Sequence, residues 1–144
     1  MLPDFFKIVA KNNTTQQLDF SGNPSNETLV VTAKFWKMTN DGTVYSDEVT
    51  LFTAATDIAN GGHEVGAEYD NSTNKYHGFN ATARLKTDNG SVSGSVEFSL
   101  EFPTDGTEGA YPDEDAGFAP SEDCVWVDSL SIAAATTKSL NMMF

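Results

Sequence analysis

The chain is poor in the residues that most often announce a chemistry. It has one cysteine, Cys124, so no internal disulfide can form, and the fold must rest on a hydrophobic core. Its two histidines, His63 and His77, lie in different segments with no Cys or Glu at zinc-ligand spacing. Basic residues are scarce. Against 21 Asp and Glu stand 8 Lys and Arg, a net charge of -13. Such a surface repels phosphate, so neither nucleic acid nor an anionic membrane surface is an expected partner. No apolar run approaches the ~20 residues of a membrane-spanning helix. The short apolar run at Phe5 and Phe6 is broken by Lys7 and lacks a signal-peptide cleavage pattern, so synthesis in a reducing cytoplasm is expected. There is no Gly-x-Ser-x-Gly elbow, phosphate-binding loop or dinucleotide fingerprint. The expectation is a protein that is not an enzyme and carries no cofactor. Six Asn-x-Ser/Thr sequons, at Asn12, Asn13, Asn26, Asn71, Asn80 and Asn89, follow from a chain rich in Asn, Ser and Thr.

What the chain does have is alternation. From Ser91 to Phe102, Val92, Gly94, Val96, Phe98, Leu100 and Phe102 alternate with serines and Glu97 and Glu101. That period of two marks a strand with one buried and one wet face. Tyr76–Thr87 repeats the pattern through Phe79, Ala81, Ala83 and Leu85, and Asp88-Asn89-Gly90 between the two predicts a hairpin. Leu29–Met38 places Leu29, Val31, Ala33 and Phe35 on one face and Trp36 among polar residues on the other. Asn40-Asp41-Gly42 turns it back into a strand over Val44–Thr53, with Tyr45, Val49 and Leu51 on its apolar side. Phe6, Ile8 and Ala10 share a face of Phe5–Lys11; Cys124, Trp126, Leu130 and Ile132 alternate in Cys124–Ile132; Leu140, Met142 and Phe144 do so in Lys138–Phe144. Leu18 and Phe20 form a short strand, His63–Tyr69 a weak one, and Ala54–Asn60 one helical turn. About eight short strands with almost no helical period predict an all-β fold. It is a single antiparallel β-sandwich over residues 1–144, with jelly-roll and immunoglobulin-like topologies both open.

Pro103–Glu122 is a long acidic loop, and loops of that length in a small domain usually carry function. Asp113, Glu114 and Asp115 supply oxygen ligands of the kind calcium takes, but Gly117 and Glu122 fall at the wrong positions for an EF-hand, and a solvated loop is the plainer reading. A Gly- and Pro-rich loop is also a poor frame for the rigid carboxylate pair of a glycosidase. Cys124, on an apolar strand face, reads as buried and inert. Trp36, Tyr69, Tyr76 and Tyr111 are the aromatics a glycan-binding module would use, with core packing as the competing role.

The order of an alternating strand, Thr104-Asp105-Gly106, Tyr111-Pro112, an acidic loop and the Trp126-Val127-Asp128-Ser129-Leu130 strand resembles small β-sandwich structural proteins of tailed bacteriophages. The likeness spans roughly Ser91–Phe144. It implies a virion location after synthesis in the host cytoplasm, and a capsid decoration or cement role. The partners would then be the major capsid protein or tail proteins, with self-association into a homo-oligomer as an alternative. It brings no catalytic residues. A tail component and a glycan-binding module are the other readings. The partner-binding candidates are Phe5 and Phe6 near the N-terminus, Tyr111, Asp113, Glu114 and Asp115 in the loop, and Met142, Met143 and Phe144 at the C-terminus.

Overall fold

The alternating segments form strands, and their apolar faces meet across one core. The computed structural model describes residues 2–21, 27–88, 90–104, 111–114, 119–133 and 136–144. Among them are ten strands rather than about eight: β1 (Phe5–Thr14), β2 (Thr28–Thr39), β3 (Gly42–Tyr45), β4 (Val49–Thr53), β5 (His63–Val65), β6 (Tyr69–Asp70), β7 (Gly78–Thr87), β8 (Ser93–Glu101), β9 (Val125–Ala133) and β10 (Thr136–Met143). They make two antiparallel five-stranded sheets. The first has the order β5-β1-β8-β9, with β6 also on β1; the second has the order β10-β7-β2-β3, with β4 also on β2. The result is a β-sandwich.

The core is aromatic at its centre. Phe6, Phe35, Phe79 and Phe98 are wholly buried. Tyr69 stacks on Phe35 with ring centroids 4.3 Å apart, and Tyr76 stacks on it at 5.3 Å. Phe144 stacks on Phe79 at 5.8 Å, and the two exchange backbone hydrogen bonds of 2.9 and 3.0 Å beyond the end of β10. Aromatic pairs of this kind add roughly 0.5–1.5 kcal/mol beyond the area they bury.

Four local expectations are corrected. Asp88-Asn89-Gly90 does not close a hairpin. β7 pairs with β2 and β10, whereas β8 pairs with β1 and β9. The two strands face one another across the core, and the chain crosses between sheets through a buried Val92. The segment Val44–Thr53 is two strands. It breaks at Ser46, whose hydroxyl accepts the Phe35 N–H at 2.9 Å; both halves pair with β2, and the β4 pairing has a register shift at Val31/Thr32. Ala54–Asn60 holds no helical turn. Ile58 instead exchanges backbone hydrogen bonds of 3.0 and 2.9 Å with Leu18, and the buried Asn12 amide donates to the Ile58 carbonyl at 2.8 Å. Pairing satisfies these backbone groups better than one isolated turn can. Finally, Trp126 does not share the inner face with Leu130 and Ile132. Phe98 pairs with Asp128 and Ser99 with Trp126, so Val127 is an extra residue in β9, and the alternation reverses there.

Candidate functional site

Each sheet turns one face to the core and one outward, and the two outer faces differ. On the first sheet, β1 and β8 run side by side with Lys7 opposite Glu101, Val9 opposite Ser99 and Lys11 opposite Glu97. The described part of the segment after β8 folds back over this face. Tyr111 and Pro120 are buried by it, and a short helix, α1 (Pro120–Asp123), lies against β8. The Lys7 ammonium donates to both Asp113 carboxylate oxygens at 3.0 and 3.2 Å and sits 4.0 Å from the centre of the Tyr111 ring. The Asp113 backbone N–H donates to Glu101 Oε1 at 2.5 Å. Lys7 therefore ties the turn at residues 111–114 down by an ion pair and a cation–π contact together.

Glu101 is wholly buried, and its Oε2 has no hydrogen-bond partner among the described residues. Burial pushes its carboxyl up to about 7. The Asp113 carboxylate beside it adds to the rise, while the Asp113 N–H and the Lys7 charge oppose it. The Tyr111 phenol is raised above its usual range by burial first and then by Glu68, although its hydroxyl closes no hydrogen bond of normal geometry. The Cys124 thiol is pushed up to about 12, by burial and by the negative charges of Glu101, Asp123 and Asp113. A thiol so raised is a poor nucleophile.

The candidate partner-binding residues separate into distinct places. Phe6 is core, because its position in β1 points inward; Phe5, one residue away, is half-buried on the other face. Tyr111 is buried against the first sheet, not presented by a free loop. Asp113 is held by Lys7, Glu114 has its backbone in the turn Pro112–Glu114, and Asp115 lies outside the described residues. Where it is described, the loop is thus not simply solvated but lies as a lid on the sheet. With both Asp113 oxygens engaged by Lys7, the calcium reading loses its first ligand. Among the described residues no group of three or more His, Cys, Asp or Glu is placed to hold a metal. At the C-terminus Met142 is core and Phe144 is half-buried on Phe79, which leaves Met143, 77% exposed, as the free side chain of the three.

Of the four glycan candidates, Tyr69 and Tyr76 belong to the core stack, and Tyr111 lies under the lid. Trp36 is half-buried, with its indole ring over Gly78: a Cβ built there would approach the ring to 2.8 Å. Among the described residues the exposed aromatics are two others, Tyr45 at 58% and Trp126 at 61%. Alternation placed both inward, and both lie just where the alternation breaks, at Ser46 and at Val127.

Two surfaces remain open. One is the flank formed by β9 and β10. Each is the last strand of its sheet, so among the described residues nothing pairs with their outer edges. The chain enters β9 at the end of this flank where it leaves β10; there Val125 and Trp126 are exposed on the first sheet, while Met143 is exposed on the outer face of the second. The other is the outer face of the second sheet, a groove of about 380 Å³ lined by residues of β2, β7 and β10 and by Tyr45 and Glu48. No protein-family model, curated protein or solved structure matches this chain, so its residues alone carry the functional reading.

Proposed function

We propose that the chain is a non-enzymatic structural protein of a virion, of the capsid decoration type, and that it acts by burying the β9–β10 flank on a neighbouring subunit. The observation that carries this reading is the coincidence of the β9 and β10 edges, unpaired among the described residues, with the exposed Val125 and Trp126 at the start of β9. Long open edges invite pairing with another chain, and proteins that stay monomeric usually blunt them. Here the edges carry little charge. β9 has Asp128 and β10 has Lys138, while the exposed tryptophan is of the kind enriched at interface hot spots. The net charge of -13 favours a partner whose contact surface is neutral or basic.

The test is co-sedimentation of the purified chain with assembled phage capsids, and with tails as the second arm. Wild-type chain is expected to pellet with capsids, and Trp126→Ala and Val125→Lys to remain in the supernatant while still folded. Binding to tails and not capsids would move the protein to the tail. Binding to neither, or binding indifferent to both substitutions, would overturn the reading. Deleting Met142–Phe144 is a poorer probe, because Met142 and Phe144 pack in or against the core.

A further inference from the structure

We propose that the groove on the outer face of the second sheet is a binding site for a neutral saccharide. Its floor is set by strand register. Across β10, β7 and β2, Met143, Asn80 and Lys34 form one row; Asn141, Thr82 and Thr32 form the next. Tyr45 and Glu48 close the side beyond β2. The volume, about 380 Å³, lies in the range of small-ligand sites.

The donor and acceptor set matches sugar hydroxyls. Asn80 and Asn141 offer both an amide N–H and a carbonyl oxygen, Thr32 and Thr82 a hydroxyl each, Lys34 donors and Glu48 acceptors. Thr82 Oγ1 donates to Asn141 Oδ1 at 3.1 Å, which fixes that amide and leaves its NH2 group to donate outward. The exposed Tyr45 ring supplies the flat apolar platform that the C–H face of a pyranose covers.

Other ligand classes fit less well. An apolar molecule would leave the amides and hydroxyls of the floor without partners. An anion meets Glu48 beside Lys34 and a chain of net charge -13. An extended peptide pairs with a strand edge, but β7 beneath the groove is already hydrogen-bonded to β2 and β10 on its two sides. With one aromatic platform, the expected dissociation constant is on the order of 1 mM.

Backbone amide NMR tests this directly. The purified chain is titrated with galactose, N-acetylglucosamine, mannose, a β-1,4-linked glucose tetramer and, as the anionic arm, sialyllactose, each to about 50 mM, well above the expected dissociation constant. Expected are shifts at Tyr45, Asn80, Thr82 and Asn141 with at least one neutral sugar, weakened by roughly tenfold in Tyr45→Ala and in Asn80→Ala, about 1.4 kcal/mol. Absence of shifts in the groove with every neutral sugar, shifts unchanged in both variants, or tighter binding of sialyllactose would each overturn the proposal. Trp126 lies on the other sheet, so Trp126→Ala should leave these shifts intact, and Tyr45→Ala should leave particle binding intact. The two readings therefore fail separately.

Discussion

The two sheets are matched in strand number and opposed in what lies outside them. The first carries a lid: residues 111–114 and 119–123 lie over it, with Tyr111 buried and Lys7, Glu101 and Asp113 enclosed. The second is bare, and Asn80, Asn141 and Tyr45 face water beside the exposed Lys34, Arg84 and Lys86. The contrast follows from the residues each outer face presents. A Lys–Glu pair on β1 and β8 offers a turn something to bond to, and once covered the charges must be matched or neutralised. Exposed amides, hydroxyls and charges are content in water, so nothing drives a lid over them. The covered face thus affects stability and pH response, and the bare one is free to bind.

That contrast can be broken by mutation, and the largest effect is expected under the lid. Tyr111→Ala should cost about 3 kcal/mol, as truncation of a buried aromatic does. It should also speed proteolysis in residues 103–124; a urea midpoint that stays put would show that the lid contributes no stability. Next is Gly78→Ala on the bare sheet. Its Cβ would collide with the Phe144 carbonyl oxygen and crowd the Trp36 ring, so about 1–3 kcal/mol should be lost as the C-terminal end shifts.

A smaller effect is set by pH. The folded value of Glu101, about 7, lies above the ordinary 4.5, so the native state holds a proton there that the unfolded chain has released. Stability from this group is whole below about pH 4.5, declines as pH rises to about 7 and is level above. Asp57 and Asp70, both lowered by bonds from serines, act in the opposite sense and only below about their ordinary 3.8. Urea midpoints should therefore be higher near pH 5 than near pH 7.5, and Glu101→Gln, which keeps the acceptor for the Asp113 N–H, should flatten the difference. An equal slope in the variant would place the titrating group elsewhere. The smallest effect is Tyr45→Ala, within about 0.5 kcal/mol of wild type, because an exposed ring on the bare face touches little core.

Alternation alone located the core. Phe6, Ile8, Val31, Phe35, Phe79, Leu85, Phe98 and Leu100 sit inside as their period of two requires, and the antiparallel sandwich follows from that pattern. The candidate sites were less legible. Tyr45 and Trp126 escaped because a strand break and an extra residue reversed their faces, and a period of two carries no mark of either. Phe6 and Met142, apolar and near the ends, read as partner contacts until their faces were known.

What the sequence determined is which side chains leave water: burial is a property of each strand's own two faces. What only the tertiary structure decided is which strands are neighbours. Asp88-Asn89-Gly90 predicts a hairpin, yet a crossing between sheets satisfies the alternation as well, because both bury the same residues. Only the pairing of β8 with β1 and of β7 with β2 selects the crossing. The same holds for the lid. Lys7 and Asp113 are 106 positions apart, and nothing local in either segment encodes the 3.0 Å contact that joins them.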